Sequence, residues 1–585
     1  MGYPKYCILE RLKAAALKYP DKVLYNDLSD SVTFAQADSL SDRVGSFLLA
    51  RGIRNCPVVV MTGRSVLTPV CFFGVAKAAC FYAPLDSAVP ASRIEQVLSV
   101  IDAGVLIADS STAPLLSNIS FSGTVYMLED MLGQEPDAEA LESAFTGLNE
   151  NHPLYVIFTS GSSGKPKGVI TSHRALDCYI SAVGKVLRLT EADVLGNQSP
   201  LDYIAAIRDI YLPLYFGCST VILPKSSFAI PTELFRLLSE HRITALCWSV
   251  SGVELCAKLN AFASGKPQYL KTVMFSGSVI NSRYLRLWQD NLPEVRFINQ
   301  YGPTEATASC TYYEVTSPVN EDTVLPIGKP YENYTVYLIR EDGTKARAGE
   351  QGEICVAGPG LALGYYGALD LTEKTFVQNP LNTSYRETIY KTGDLGSMGE
   401  DGQLYFHGRK DRQIKHMGHR IELDEIEAVA RRAEGVESAF ALYDSAKELL
   451  HLFYTGSAAP KDIVLYFRAN MPAYMVPRRL MQLDELPRLP NGKTDAMALK
   501  NIFKRTERDK MDELMAILQE MRPDVDFKGE KALITEGILD SFDIVSLVTA
   551  LMEHFDVEIS PIDLIPENFD SADSMWALIS RLREE

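Results

Sequence analysis

The chain has 585 residues, of which 46% are hydrophobic and 23% charged, and its formal net charge is −18. This length exceeds what one hydrophobic core supports, so three or four structural units are expected. The excess of negative charge argues against unaided binding to nucleic acid or to an anionic membrane surface. With no apolar run of membrane-spanning length and no signal-peptide core, a soluble, cytoplasmic protein is expected. Ten cysteines without regular spacing predict reduced thiols, with neither a zinc site nor a disulfide framework.

Short β-branched runs alternate with helix-like apolar stretches through the first 330 residues. Such runs lie at 101–108, 219–223, 243–247 and 271–275. Short buried strands separated by helical patterns predict an α/β lobe with layered sheets and helices.

The remainder of the chain changes in character. After about residue 330, β-rich segments alternate with glycine turns, and a compact α/β segment follows from about 409 to 500. Residues 501–510 are charged and sparsely apolar, which predicts a linker. Residues 511–585 carry amphipathic helical patterns and predict a small all-α helical bundle.

The most informative local segment is FTSGSSGKPKGV at 158–169, directly after an apolar run. Its three glycines allow close approach to a polyanion, its four hydroxyls donate hydrogen bonds, and its two lysines neutralise charge. It is not a Walker loop, because Gly161 and Gly164 are too close in sequence and Pro166 follows Lys165. Taken alone, the segment also fits a flexible Gly/Ser surface turn.

Further segments follow this loop in order: NQYGPTE at 299–305, YKTGDL at 390–395, GRKDRQIK at 408–415 and PNGK at 490–493. Together with the loop they resemble the signatures of the adenylate-forming enzyme superfamily, in particular of nonribosomal peptide synthetase adenylation domains. The resemblance implies a large adenylation lobe at 1–410 and a small C-terminal lobe at 411–500. The linker at 501–510 and the bundle at 511–585 would follow.

The resemblance also implies roles for individual residues. Lys493, Thr304 and Glu305 would be catalytic, with Glu305 holding Mg²⁺ through ATP, and Asp411 would be the hinge between the lobes. Taken singly, Lys493 and Asp394 also fit ordinary turn positions, and Glu305 fits the first turn of a helix. The residues implied to bind ATP or AMP are Thr159, Ser160, Gly161, Ser162, Ser163, Gly164, Lys165, Lys167, Asn299, Gln300, Tyr301, Gly302, Asp394 and Arg409.

Near the C-terminus, the segment EGILDSFDIVSL at 536–547 resembles the attachment site of acyl and peptidyl carrier (thiolation) domains. There, a serine after an aspartate receives 4′-phosphopantetheine, and Ser541 is that serine here. The alternative is a plain helix N-cap at Asp540 or Ser541, and both can hold together.

The implied function is ATP-dependent activation of a carboxylic acid as acyl-AMP, in relatives usually an amino acid. The acyl group would then pass as a thioester to the phosphopantetheine on Ser541, in nonribosomal peptide or related secondary-metabolite biosynthesis. ATP and Mg²⁺ would be required, with a phosphopantetheinyl transferase and a downstream biosynthetic enzyme as partners. An acyl-CoA synthetase and a degenerate, non-enzymatic scaffold are the alternatives.

The acid itself is harder to predict. Amino-acid-activating relatives anchor the substrate ammonium on an aspartate, but alignment on Asp209 puts Ile204 at that position. An ordinary α-amino acid is therefore in doubt, and a β-amino, hydroxy, aryl or fatty acid stays open. A buried Arg208 needs a partner, which could be an acidic group of the substrate or else Asp209 or Asp202. The predicted pocket residues are Asp202, Ile204, Ala205, Arg208, Cys247, Met274, Ser276, Gln300, Ala308 and Ser309.

Overall fold

The computed structural model describes residues 7–146, 148–161, 165–320, 323–416, 419–445, 448–489, 494–522, 525, 527–528, 530–536, 538–539, 541–555, 557, 559–560, 563 and 565–582. The chain forms two compact units, one of residues 1–426 with 467–475 and one of 427–466 with 476–585. The larger unit thus extends past the boundary predicted at residue 410. Residues 411–426 belong to it because Arg420 contacts Glu305 and Glu425 contacts Arg93.

The larger unit contains a mixed sheet whose central strands are parallel, as the alternating pattern predicts. Buried runs such as ALCWS and TVMFS form its middle, because strands covered on both faces must be apolar throughout. In spatial order the strands are Lys329–Pro330, Thr311–Val315, Arg296–Tyr301, Thr272–Ser276, Ala245–Ser249, Val194–Asn197, Ser219–Ile222, Val23–Asn26 and Ser31–Thr33.

A second sheet of this unit is also mixed, and a third is antiparallel. The second carries the lysine- and glycine-rich loop between two antiparallel neighbours; in spatial order its strands are Gly364–Tyr365, Lys167–Ser172, Pro153–Thr159, Phe81–Pro84, Pro57–Met61, Val105–Ala108 and Thr124–Met127. The third consists of Thr335–Ile339, Gly352–Ala357, Thr388–Met398 and Phe376–Gln378, with Leu404–Arg409 also pairing with Thr388–Met398. A separate hairpin pairs Gln413–His416 with His419–Glu422.

Helices accompany the sheets of the larger unit. Most present one apolar face, but Ala206–Phe216 is buried from Ala206 to Leu214, as expected of a helix enclosed by other elements. In chain order the α-helices are Ile8–Lys18, Phe34–Leu49, Leu67–Lys77, Ala91–Ile101, Leu128–Leu132, Ala138–Ala144, His173–Leu187, Ala206–Phe216, Pro231–Glu240, Val250–Lys258, Ser282–Asn291 and Leu369–Thr375. The helices Leu423–Ala430 and Pro460–Asn470 each begin in one unit and end in the other.

The smaller unit combines a short sheet with a helical C-terminal part. The sheet consists of Val436–Asp444, Leu449–Gly456 and Arg479–Gln482. The C-terminal helices are Ala496–Met521, Ser541–Phe555, Pro566–Phe569 and Ala572–Leu582, and they enclose an apolar cluster that includes Leu514, Leu547, Leu551 and Met575. The predicted linker at 501–510 lies inside the helix Ala496–Met521, since charged residues of good helix propensity extend a helix as readily as a loop.

The ten cysteines are all free thiols. Cys56 and Cys80 lie closest, with 3.8 Å between their Sγ atoms, because each precedes one of two parallel strands that pair at Pro57 and Phe81. In the described part of the chain, no group of three or more His, Cys, Asp or Glu side chains could hold a metal ion. Nor is any described helix both long and apolar enough to cross a membrane.

Candidate active site

The candidate site lies where a central strand of the large sheet ends. The strand Arg296–Tyr301 runs parallel to Thr272–Ser276 and leads into Thr304 and Glu305, which are both buried. Open α/β sheets bind ligands beyond the carboxyl ends of their strands. The turn requires Gly302, because a Cβ there would lie 2.3 Å from the Cα of Ser309. Earlier in the segment, Asn299 donates a 2.9 Å hydrogen bond to the Pro326 carbonyl.

Glu305 is fully buried and ionised. Its Oε1 accepts a 2.6 Å hydrogen bond from Tyr365 Oη, both its oxygens accept from Arg420 Nη1 at 3.0 Å, and Lys167 Nζ lies 3.6 Å away. Burial raises the pKa of this carboxyl, but Arg420 and then Lys167 outweigh that effect and bring the pKa down to about 2. An ionised carboxylate suits Mg²⁺, although Arg420 must release Glu305 before a cation can take its place.

Lys167 is a buried cation close to a second cation. Burial, and then the charge of Arg420, lower the pKa of Lys167 to about 8, although Glu305 opposes the shift. Its Nζ also lies 5.2 Å from the centre of the Tyr365 ring. A polyanion bound here would relieve the repulsion between the two cations.

The glycine-rich loop packs tightly where the structure describes it. A Cβ on Gly161 would lie 2.2 Å from the Lys165 carbonyl oxygen, so only glycine fits. Thr159 and Ser160 are buried, and Ser160 Oγ donates a 2.6 Å hydrogen bond to the Arg420 carbonyl. Lys165 is exposed. The predicted site residues Ser162, Ser163, Gly164 and Lys493 lie outside the described residues.

A second buried carboxylate, Asp394, faces Arg409 across two antiparallel strands. Asp394 accepts hydrogen bonds from Tyr301 Oη and from Arg409 Nη1. Arg409 also donates to Asp411, at 2.6 Å from Nε and 2.8 Å from Nη2. The structure therefore joins four residues predicted separately from three motifs.

Arg208 lies in the first turn of the helix Ala206–Phe216 and is 1% exposed. Its Nε donates to the Ala205 carbonyl at 3.2 Å, and its Nη1 donates to Gln300 Oε1 and, at 3.3 Å, to Ser276 Oγ. Gln300 in turn donates to Tyr331 Oη. All these acceptors are neutral.

The two acids considered as partners of Arg208 are engaged elsewhere. Asp209 Oδ2 accepts from Asn197 Nδ2 at 2.7 Å, and Asp202 Oδ2 accepts from the Asp86 amide at 3.1 Å. In the part of the chain that the structure describes, no carboxylate oxygen lies within 4.0 Å of the Arg208 guanidinium. Burial raises the pKa of each of these two acids to about 7. The structure thus excludes an ion pair between Arg208 and either acid.

Other predicted pocket residues collect near Arg208. Cys247 and Met274 are register partners on neighbouring strands, and Ser309 Oγ lies 2.8 Å from Tyr179 Oη. Burial raises the pKa of Tyr179 although Arg208 opposes it, so this phenol is neutral. Ile204 and Ala205 are buried and Ala308 is partly buried.

Asp202, also predicted to line the substrate pocket, lines a cavity of about 500 Å³ with Arg64, Asp86 and Lys225. Lys225 Nζ lies 2.6 Å from Asp86 Oδ2, and Arg64 donates to backbone carbonyls, including that of Ser199 at 2.8 Å. The Asp86 amide holds the Asp202 carboxylate in this cavity, and the role of Asp202 towards a substrate stays a prediction.

Sequence reasoning missed several residues of the site. Arg420 faces Lys415 in the hairpin register, so a hairpin prediction just after the GRKDRQIK segment would have found it. Tyr365 lies on a short strand that pairs with the strand beginning at Lys167. Tyr179 and Tyr331 carry no sequence signal, because only the fold brings them to Arg208.

Residues 12–366 match the model of the family described as AMP-binding enzyme. The chain is 30% identical over 487 residues to tyrocidine synthase 1 of Brevibacillus parabrevis, covering 82% of this chain and 44% of that protein. It is also 30% identical over 508 residues to a D-alanine–D-alanyl carrier protein ligase of Bacillus cytotoxicus, covering 84% and 98%. The chain thus spans less than half of the first relative and nearly all of the second.

Solved structures share the fold. Holo-PA1221, an NRPS protein containing adenylation and PCP domains, matches with a TM-score of 0.74 at 21% identity, over 99% of this chain and 97% of that one. An artificially fused adenylation–PCP di-domain from Klebsiella oxytoca matches with a TM-score of 0.72 at 22% identity, over 83% and 95%. The chain therefore belongs to the AMP-binding enzyme family, and it is an ATP-dependent, adenylate-forming ligase.

Proposed function

We propose that this protein activates a carboxylic acid as an acyl adenylate and passes the acyl group to a phosphopantetheine arm on Ser541. Biosynthesis of a nonribosomal peptide or a related secondary metabolite is the proposed setting. The observation that carries the proposal is a pair of buried carboxylates near the end of the strand Arg296–Tyr301. Glu305 lies beside Lys167, and Asp394 lies beside Arg409. Two relatives, a carrier protein ligase and a synthase, support it.

In the first step, a carboxylate oxygen of the acid attacks the α-phosphorus of ATP, and the bond to the bridging oxygen breaks to release pyrophosphate. Negative charge spreads over the phosphate oxygens, so fixed cations and donors stabilise the transition state. Lys167 and the loop around Gly161 provide these groups, and Lys493 is proposed to join them. Asp394 suits the hydroxyls of a ribose, because carboxylate oxygens accept hydrogen bonds.

Two bound groups complete the proposed reaction. Mg²⁺, when bound with ATP, neutralises phosphate charge, and Glu305 is the carboxylate that would hold it. The phosphopantetheine arm, when attached, supplies the thiol that accepts the acyl group. Ser541 suits attachment because it begins the helix Ser541–Phe555, where backbone N–H groups favour a phosphate.

Intact-protein mass spectrometry tests this proposal. The protein is first converted to its holo form with a phosphopantetheinyl transferase and then offered ATP, Mg²⁺ and pools of carboxylic acids. A mass gain matching one acid is expected in the native sequence. Ser541→Ala should abolish both the arm and the gain, and Lys493→Ala should abolish the gain alone.

Two outcomes would contradict the proposal. If Ser541 cannot be modified, free coenzyme A becomes the candidate acceptor, and acyl-CoA formation should then be measured directly. If the arm forms but no acid from a broad panel loads, the adenylating activity is absent and a scaffold role takes its place.

A further inference from the structure

The side chain of Arg208 is a buried cation, and no carboxylate oxygen of the described residues lies within 4.0 Å of its guanidinium. The charge of the neighbouring Asp209 acts on Arg208 only from a longer distance. Its described hydrogen bonds go to the Ala205 carbonyl, the Ser276 hydroxyl and the Gln300 amide. Burying a charge is costly unless it is paired, and a guanidinium cannot shed its proton to escape that cost. A ligand that brings a negative charge to this position would remove the penalty.

The surroundings favour an anion in a second way. Arg208 lies in the first turn of the helix Ala206–Phe216, whose N-cap residue Ala205 offers no capping side chain. The N-terminus of a helix carries partial positive charge, which adds to that of the guanidinium. Ile204, in place of an acid, offers nothing to a substrate ammonium.

The position of Arg208 relative to the nucleotide site indicates what kind of molecule carries the anion. Gln300, which accepts from Arg208, immediately precedes Tyr301, which donates to the buried Asp394. Neighbouring side chains on a strand point to opposite faces, so this strand separates Arg208 from the proposed ribose contact. The strand ends at Tyr301, so a substrate bound beyond that end, with its reacting carboxylate towards the nucleotide, can extend its far end around the strand towards Arg208.

We propose that the acid activated by this protein is a dicarboxylic acid, whose non-reacting carboxylate is bound by Arg208. Arg208 is then the residue that determines specificity, through two parallel N–H···O bonds of the kind that arginine forms with carboxylates. The inference rests on the proposed adenylating function and names its substrate class.

The adenylation half-reaction tests the substrate class without the carrier step. ATP–pyrophosphate exchange is measured with the full chain and the unbranched dicarboxylic acids of three to eight carbons. Each diacid is compared with its own half-amide, which has the same shape and one negative charge fewer. Amino acids, aryl acids and fatty acids complete the panel. We expect a dicarboxylic acid to give the highest kcat/KM, about 100-fold above that of its half-amide.

Substitutions of Arg208 separate charge from shape. Arg208→Gln should lower kcat/KM for the diacid by about 100-fold, mainly through KM, and change that for the half-amide by less than about tenfold. Arg208→Lys should keep part of the preference, because it keeps the charge but loses the fork geometry. Arg236→Gln, an exposed arginine on the helix Pro231–Glu240, serves as the matched control and should leave the preference unchanged.

The possible failures are distinguishable. If the best substrate is an amino acid, or a monoacid whose far end carries no charge, and no diacid supports exchange, the inference is overturned while the adenylating function stands. If diacids and their half-amides give equal kcat/KM with the native sequence, Arg208 does not select for the second carboxylate. This result does not depend on whether a variant folds. If no acid supports exchange, the proposed function fails first and the inference falls with it.

Discussion

The pKa of Lys167 gives the candidate site a pH dependence close to neutrality. Because that pKa is about 8, Lys167 is mostly protonated at pH 7 and mostly neutral at pH 9. The protonated form attracts phosphate, so ATP binding should weaken as the pH rises from 7 to 9 and should take up protons near pH 8. Titration calorimetry in two buffers of different ionisation enthalpy measures this uptake.

The variant Lys167→Met is the control for this assignment. It should bind ATP more weakly at pH 7 and lose the proton uptake near pH 8. If the same uptake persists in the variant, another group titrates.

The contact between Glu305 and Arg420 should contribute to stability in a pH-dependent way. Arg420→Met leaves a buried carboxylate with fewer partners and should lower the free energy of unfolding at pH 7 by about 3 kcal/mol. Since the folded-state pKa of Glu305 lies below its ordinary value, the stability that this carboxylate contributes is present above pH 4.5 and is lost as the pH falls towards 2. At pH 4 the difference in free energy of unfolding between the native sequence and Arg420→Met should therefore be smaller by about 1 kcal/mol.

Urea unfolding at pH 7 and pH 4 measures both effects. Arg236→Met, which removes an exposed arginine paired with Glu233 and Glu240, should cost about 0.5 kcal/mol or less. Equal costs for the two substitutions would show that the buried pair contributes no more than a surface pair.

At the scale of elements, the turn after the strand Pro153–Thr159 depends on one glycine. Gly161→Ala would bring a Cβ within 2.2 Å of the Lys165 carbonyl oxygen and so displace the loop. We expect ATP–pyrophosphate exchange to fall at least about 100-fold, since small misplacements of positioning groups are costly, while the melting temperature changes by only a few degrees.

Gly104→Ala is the matched control for this loop variant, because a Cβ at Gly104 meets no atom within 4 Å. Exchange in Gly104→Ala should equal that of the native sequence. Normal exchange in Gly161→Ala would mean that the described loop geometry does not determine catalysis.

The sequence predicted the elements better than it predicted contacts across them. The alternation of short apolar runs with helical patterns placed the buried strands correctly, because strands covered on both faces must be apolar. The NQYGPTE segment predicted a role for Glu305, but its ion partner Arg420 lies 115 residues later, and local patterns carry no information about such a pair. The Asp86 amide holds the Asp202 carboxylate, and a sequence alignment carries no information about such a backbone contact.

At the scale of the whole molecule, the two compact units should respond separately to ligand and to mutation. ATP at about 100 times its dissociation constant should stabilise the transition of the unit that binds it by about 2.7 kcal/mol. Leu547→Ala removes a fully buried side chain from the C-terminal apolar cluster and should lower the other transition by about 2–5 kcal/mol. Differential scanning calorimetry of the full chain measures both shifts.

A single transition that responds equally to both perturbations would contradict independent units. Leu465→Ala is the matched control for Leu547, because that side chain is 53% exposed and should change neither transition by more than about 0.5 kcal/mol.

The helix Ala206–Phe216 places Arg208 among residues that are packed in the hydrophobic core. Every residue from Ala206 to Leu214 is buried, so laboratory evolution of a new substrate preference at Arg208 would also disturb packing on the neighbouring turns. Ser276, at the end of its strand, is only partly buried and lies outside that constraint. Changing the substrate preference of this enzyme should therefore start from Ser276, and Arg208 should be changed only after stabilising substitutions have been introduced.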